Sequence, residues 1–149
     1  MMFRAAALLC LMMVSLTATA ADGLILLKSP HSPTATMDKL EAIVEEKGLN
    51  VFARIDHAKG AQSVGESLRP TELLIFGNPQ GGTPFMQCAQ SAGIDLPLKA
   101  LVWQDDSGQV WLGYNDPQYL AERHGVADCP VVRNLSGALE GMTKAAVAP

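Results

Sequence analysis

The sequence predicts an α+β fold, a two-layer sandwich in which helices pack on one face of an antiparallel or mixed β-sheet. Short apolar runs such as "LILLK" and "TELLIFG" have the length of buried strands. Segments whose apolar residues recur at helical spacing lie between these strands. Two consecutive strands near residue 107 form a hairpin, which interrupts the strand–helix alternation of a parallel sheet. This order of elements is typical of a sheet covered on one side.

Residues 1–20, "MMFRAAALLCLMMVSLTATA", predict a signal peptide. One positive charge, Arg4, precedes an apolar run, and Ala18-Thr19-Ala20 has the small-x-small pattern of a cleavage site. The apolar run is about a dozen residues, short of the roughly 20 that span a bilayer as a helix. We therefore expect export to the periplasm or the medium, with no membrane segment after cleavage and one domain over residues 21–149.

The first half of this domain predicts two strands and one helix. Leu24 to Lys28 is a buried strand, and Ser32-Pro33 is a helix start with serine as the N-cap. Gly48 ends this helix. Asn50 to His57 then alternates apolar and polar residues, as a half-buried strand does.

A glycine-rich stretch, "FGNPQGGTPFMQ", follows the apolar strand Thr71 to Gly77. A phosphate-binding P-loop needs lysine where this sequence has Thr83, and the loop has no basic residue. The stretch is therefore interpreted as a tight strand-to-helix turn. Thr83-Pro84 predicts the helix start, and Gly93 closes the helix.

The region "PLKALVWQDDSGQVWLGY" predicts a hairpin around Asp106-Ser107-Gly108. Trp103 and Trp111 flank this turn, so we expect them to be neighbours on one sheet face. Asp116-Pro117 starts a further helix with aspartate as the N-cap, and the last helix begins near Pro130.

Charge and composition exclude nucleic acid as a partner. The formal net charge is −4, and removal of residues 1–20 takes away one positive charge and gives −5. An acidic chain without a basic run does not attract phosphate backbones.

Three blocks in order, Gly-Asn-Pro, Asp-Leu-Pro and Tyr-Asn-Asp-Pro, carry a family resemblance. With "VFARIDHAKGAQSVG" before them, they resemble the domain-of-unknown-function family 302 (DUF302) over nearly the whole exported chain. The resemblance implies a small α+β sandwich that forms homodimers. It implies no established activity, so no catalytic residue follows from it.

His57 is the first candidate site residue, because it follows Asp56 at a strand end. Neighbouring strand residues point to opposite faces, so these two side chains do not pair. Asn78 is the expected partner of His57, since both follow strands and share a sheet edge if the two strands run parallel. Trp103 and Tyr114 are the other candidates for ligand binding, as an aromatic wall and a phenol at a strand end.

The two cysteines of the exported chain, Cys88 and Cys129, form a disulfide if they meet in space, which an oxidising compartment permits. The sequence predicts no metal site, because His31, His57 and His124 lie far apart and no Cys-x-x-Cys occurs. No cofactor is expected either.

The leading hypothesis is a non-catalytic binding module for a small, partly apolar ligand or a protein partner. One alternative is an enzyme of hydrolase or isomerase type that uses His57 with Tyr114 or Asp116. A second alternative is a thiol-redox protein that uses Cys88 and Cys129.

Overall fold

The structure is a computed structural model that describes residues 21–149. The predicted signal peptide, residues 1–20, lies outside the described residues, so its prediction is unchanged by the fold. The described residues form the α+β sandwich that the sequence predicts.

Five strands and five α-helices make up the described chain. The strands are β1 (Leu24–Ser29), β2 (Asn50–Asp56), β3 (Thr71–Gly77), β4 (Leu98–Gln104) and β5 (Val110–Asn115). The helices are α1 (Pro33–Glu46), α2 (His57–Ser63), α3 (Pro79–Cys88), α4 (Pro117–Arg123) and α5 (Val131–Ala146), with a 3₁₀ helix at Gln90–Ile94.

The five strands form one sheet in the order β1-β5-β4-β3-β2, and every neighbouring pair is antiparallel. Of the two kinds of sheet that the sequence allows, antiparallel or mixed, the structure has the antiparallel one, and the α+β class is confirmed. The reason is that the connection from β2 through α2 to β3 turns the chain back instead of carrying it across the sheet. The strand β1, predicted as buried, lies at an edge and is only partly buried.

Helices α1 and α5 cover one face of the sheet. Alternate strand residues such as Leu74, Val102 and Leu112 are fully buried against Met37 of α1 and Leu139 of α5. Side chains at the intervening positions point to the other face of the sheet. We call this other face the uncovered sheet face; its members at the centre are Leu73, Leu101, Trp103 and Trp111, none of which is buried.

The predicted alternation along β2 is broken by a β-bulge. Val51 pairs with Phe76, whereas Ala53, not Phe52, pairs with Ile75. The extra residue, Phe52, is left at the strand surface with 57% of its area exposed. Val51 and Ala53 consequently do not share a face as their spacing predicts.

Helix α3 begins earlier than the sequence predicts. Asn78 is the N-cap, its Oδ1 accepts from the Gly81 N–H at 2.9 Å, and Pro79 is the first helical residue. Pro84, predicted as the start, lies inside the helix. The predicted starts at Ser32 and Asp116 are confirmed as N-caps, and so is the hairpin.

A second, smaller core joins α3, α4 and α5. Phe85, Leu120, Ala121 and Val132 are buried there. Next to them Cys88, at the end of α3, is bonded to Cys129, just before α5, with Cα atoms 6.1 Å apart. The bridge and this core together hold α3 against α5, which positions the site described next.

Candidate functional site

A cavity of about 560 Å³ lies between α3, α5 and the adjoining ends of β3 and β4. We call it the apolar cavity. Its wall includes Phe52, Met86, Leu96, Leu135, Ala138 and Met142. The volume falls within the range of about 300–1,000 Å³ that is usual for small-molecule sites.

The glycine-rich stretch after β3 forms one side of the apolar cavity. An ideal Cβ on Gly81 would lie 3.2 Å from Leu135 Cδ2, closer than ordinary van der Waals contact. Glycine at this position therefore lets α3 approach α5 closely. The loop is a tight strand-to-helix turn, as the sequence predicts, and its surface faces the cavity.

The lining is chemically neutral. None of the described residues that line the apolar cavity carries a charged side chain. Its side-chain polar groups come from Asn78, Gln80, Thr83 and Asn134. The Asn78 Oδ1 already accepts the Gly81 N–H, so the arrangement offers few hydrogen bonds and an extensive apolar wall. This chemistry suits a neutral ligand, because an unpaired charge is costly to bury.

Of the four residues predicted to bind a ligand, Asn78 lines the apolar cavity. His57 is exposed at the first position of α2 and lies at the other end of β2. Asn50 pairs with Gly77 and Asp56 with Glu72, so the antiparallel register puts His57 and Asn78 at opposite ends of the strand pair. The expectation that they share an edge is therefore wrong, because it needs parallel strands.

Trp103 lies on the uncovered sheet face, directly opposite Trp111, with ring centroids 6.5 Å apart. The expected neighbourhood of the two tryptophans is confirmed. Trp111 Nε1 donates to Asp105 Oδ2 at 2.7 Å, and the ammonium of Lys28 lies 5.4 Å from the Trp111 ring. These contacts stabilise the hairpin on the side of the sheet away from α1 and α5.

Tyr114 points to the helix-covered face and is 3% exposed. It borders a separate, smaller cavity of about 430 Å³ together with Pro117, Glu140 and Lys144. Burial raises the pKa of Tyr114 above its ordinary value, so the phenol stays protonated in neutral solution. The Asp116 Oδ1 accepts the Gln118 N–H at 2.9 Å, which gives this carboxylate a capping role.

The four predicted ligand residues thus lie at four separate places and do not form one site. Cys88 and Cys129 form the disulfide that the sequence left open. Within residues 21–149, no group of three or more His, Cys, Asp or Glu residues is placed to hold a metal ion. In the same range, no helix is both long and apolar enough to cross a bilayer.

Sequence reasoning missed most of the cavity wall. Four wall residues have no distinguishing feature in the sequence. Leu135, Ala138 and Met142 have the spacing of an apolar helix stripe. Leu96 is an apolar residue in a loop. Only the exposed Phe52 at a bulge and the glycine pair 81–82 distinguish this region, and both become meaningful after the chain is folded.

Comparison with known proteins gives the family. A model described as "Domain of unknown function DUF302" matches residues 25–142. The chain belongs to the DUF302 family. The match confirms the resemblance carried by the Gly-Asn-Pro, Asp-Leu-Pro and Tyr-Asn-Asp-Pro blocks.

Two curated relatives, "Fluoride-specific ion channel FluC 1" of Brucella suis biovar 1 and "Fluoride-specific ion channel FluC 2" of Brucella melitensis biotype 1, are each 50% identical to this chain over 105 residues. The match covers 70% of this chain but only 41% and 39% of those relatives. The chain therefore spans about two fifths of the length of the curated relatives that it matches.

A solved structure has the same fold. The crystal structure of an uncharacterized conserved DUF302 protein from Bacillus stearothermophilus superposes with a TM-score of 0.67 at 21% identity. It covers 85% of this chain and 97% of the other. At this identity the similarity establishes the architecture and leaves function to the residues of the site.

Proposed function

We propose that this DUF302 protein is a binding module that holds a small, neutral, apolar ligand in the apolar cavity. The observation that carries the proposal is a cavity of about 560 Å³ without a charged residue in its described lining. Transfer of an apolar ligand from water into such a site is favourable by about 25 cal/mol for each Å² of apolar surface removed from water.

The position of the cavity supports the proposal. It is bounded by the cap of α3, by α5 and by the ends of two sheet strands, and the disulfide fixes α3 to the start of α5. Because the disulfide and the packing fix these helices and strands, the cavity wall has its shape before the ligand binds. Pre-formed sites lose less conformational entropy on binding.

A fluorescence titration with the neutral probe N-phenyl-1-naphthylamine tests the proposal. We expect saturable binding by the wild-type protein and at least tenfold weaker binding by Ala138→Phe. The new ring fills the cavity because Ala138 lines it on α5.

The matched control is Ala42→Phe, which adds the same ring to an exposed position on α1. This variant should bind the probe as the wild type does. Equal weakening in both variants, or no saturable binding by the wild type, would contradict the proposal.

The enzyme alternative that uses His57 with Tyr114 or Asp116 has less support. His57 is exposed at the start of α2, Tyr114 is buried beneath α5, and Asp116 caps α4. Catalysis by these groups needs them within hydrogen-bond reach of one substrate.

The redox alternative is supported by the Cys88–Cys129 bridge. However, Cys129 is only 7% exposed, which limits the access of a thiol partner to this sulfur.

The relatives suggest a second candidate function, in which this domain acts together with a fluoride channel. The supporting observation is 50% identity over 105 residues to proteins whose printed names are fluoride-specific ion channels. In this function the domain would bind to or regulate a fluoride channel of its own cell. The channel activity itself is named for the relatives, which are longer proteins than this chain.

This second candidate is tested by fluoride efflux from cells that express a fluoride channel with and without this protein. A change in the efflux rate that depends on the domain would support it. Identical rates, with the domain present at the same level as the channel, would contradict it.

Export and homodimerisation are further proposals. The Cys88–Cys129 bridge supports export, because disulfides persist in oxidising compartments.

The uncovered sheet face, with Leu101 on the central strand β4, supports a second copy as the partner, since two such faces pack across a two-fold axis. Sedimentation of Leu101→Lys against wild type tests the dimer: the variant should be monomeric, and an unchanged mass would contradict this interface.

A further inference from the structure

Three side chains that the sequence leaves unconnected meet beside the 3₁₀ helix. The Ser91 hydroxyl lies 2.9 Å from Nδ1 of His124, and His124 Nε2 lies 2.6 Å from Asp95 Oδ2. Ser91 and Asp95 are four residues apart, at the start and just past the end of the 3₁₀ helix, and His124 directly follows α4. None of the three lines the apolar cavity, so the cluster is a separate feature.

The hydrogen-bond order fixes the roles of the two imidazole nitrogens. A carboxylate only accepts hydrogen bonds, so Asp95 requires the proton on Nε2 of neutral His124. Nδ1 is then an acceptor, and it receives the hydrogen bond from the Ser91 hydroxyl. A serine nucleophile is activated when its hydroxyl donates a hydrogen bond to a basic nitrogen and a carboxylate orients that base.

The base and its carboxylate are held in place, while the hydroxyl is accessible. The side chains of His124 and Asp95 are 8% and 12% exposed. The second carboxylate oxygen, Oδ1, accepts from Arg123 at 3.1 Å, and the Lys99 ammonium donates to the Asp95 backbone carbonyl at 2.8 Å. Ser91, in contrast, is exposed, so its oxygen reaches solvent.

We propose that Ser91 is a nucleophile for acyl transfer from carboxylic esters, with His124 as its general base and Asp95 as a positioning residue. The Ser91 oxygen forms a bond to the ester carbonyl carbon, and its proton passes to Nδ1 of His124. The carbon–oxygen bond to the leaving group breaks, and the leaving alcohol takes that proton. Water then releases the acid and restores the serine, so nothing is oxidised or reduced.

The exposure of Ser91 limits the substrate class. An exposed hydroxyl offers no wall to bury a long acyl chain, so short acyl groups on good leaving groups are the expected substrates. Ile94, three residues from Ser91 in sequence, is a large apolar side chain with 76% of its area exposed, and we expect it to be the apolar contact for a short acyl group.

The test uses p-nitrophenyl acetate, with release of p-nitrophenolate and peptide mass mapping of the acetyl group as readouts. The wild type should acquire acetyl on Ser91, and Ser91→Ala should lose this reaction. His124→Gln should slow acetylation by about 100-fold, the usual contribution of a general base. Asp95→Asn should slow it and also change its pH profile, because the amide no longer selects the tautomer.

The matched control is Ser107→Ala. Ser107 is an exposed serine that donates to Asp105 Oδ1 at 2.7 Å, a serine–carboxylate pair without an imidazole. This variant should react as the wild type does. Because Ser91→Ala removes only an exposed hydroxyl, its circular dichroism should match the wild type. Acetyl at other residues only, or equal rates for Ser91→Ala and wild type, would overturn the proposal.

Discussion

Gly113 shows how one residue without a side chain organises the uncovered sheet face. An ideal Cβ at this position would lie 2.9 Å from Leu26 Cδ2 and 3.0 Å from Cζ3 of Trp103. The indole therefore lies over the bare backbone of β5, beside Leu26 of β1. The sequence predicts that Trp103 and Trp111 are neighbours, but not that a glycine two residues beyond Trp111 makes room for the ring.

The change Gly113→Ala should destabilise the protein, because the new methyl group displaces Trp103 and Leu26. Overpacking of this kind costs about 1–3 kcal/mol. Urea denaturation measures the free energy of unfolding, and Gly137→Ala, at an exposed position of α5 with open space around it, is the control. Gly137→Ala should be neutral or stabilising; equal effects of the two changes would contradict the packing role.

Asp105 organises the hairpin turn by accepting several hydrogen bonds. Its Oδ1 receives the N–H groups of Ser107 and Gln109 at 2.9 and 3.0 Å, and its Oδ2 receives Trp111 Nε1. The hydrogen bonds from Ser107 and Trp111 lower the pKa of Asp105 to about 2, from an ordinary value of 3.8. The charged form is thus favoured in the folded state.

Because the folded pKa is lowered, the stability that Asp105 contributes is present above about pH 4 and is lost as pH falls through about 2. Asp105→Asn cannot accept at both positions, so it should lower the melting temperature at pH 7. The difference between variant and wild type should shrink as pH falls from 4 to 2. A difference that is constant over this range would contradict the assignment.

At the scale of elements, α3 shows where sequence reasoning succeeds and where it fails. Two cap-then-proline pairs, Asn78-Pro79 and Thr83-Pro84, stand five residues apart, and local preference alone does not decide between them. The structure uses the first pair, and Gly81 then packs against Leu135. Tertiary contact with α5, absent from the local sequence, is the physical reason for the earlier start.

Asn78→Ala should destabilise the protein by about 1 kcal/mol, because the Gly81 N–H loses its side-chain acceptor. Asn78→Asp keeps an acceptor and should retain most of the stability. Chemical denaturation of the pair measures both effects. If both variants lose the same free energy of unfolding, the capping role of the Asn78 side chain is contradicted.

The disulfide joins two elements that are 41 residues apart in sequence. Closing a loop of this length in the unfolded chain stabilises the folded state by roughly 4 kcal/mol in the chain-entropy description. The double change Cys88→Ser with Cys129→Ser should lower the free energy of unfolding by an amount of that order. A loss below about 1 kcal/mol would contradict the role of the bridge in holding α3 to α5.

At the scale of the whole molecule, the sequence predicts the class of the fold, the hairpin and most helix starts. It does not predict strand direction, and the expected His57–Asn78 site depended on parallel strands. The apolar cavity combines a bulge residue, Phe52, with Leu96 and with Met142 near the C-terminus. Residues so distant in sequence meet only when α3 and α5 are packed against the folded sheet.

A neutral lining predicts discrimination between ligands of equal length. Decanol should displace the probe from the apolar cavity at a lower concentration than decanoate, because no charged residue of the described lining compensates a buried carboxylate. The two competitors differ only in the head group. Equal or better competition by decanoate would contradict the neutral character of the site.

A methyl-resolved NMR titration of the protein with decanol tests most directly whether the apolar cavity binds an apolar ligand. We expect methyl signals of Leu96, Leu135 and Met142, which line the apolar cavity, to shift and reach saturation. Signals of Leu73 and Leu101 on the uncovered sheet face should stay unchanged. Shifts confined to Leu73 and Leu101, or no shifts at saturating decanol, would contradict ligand binding in the apolar cavity.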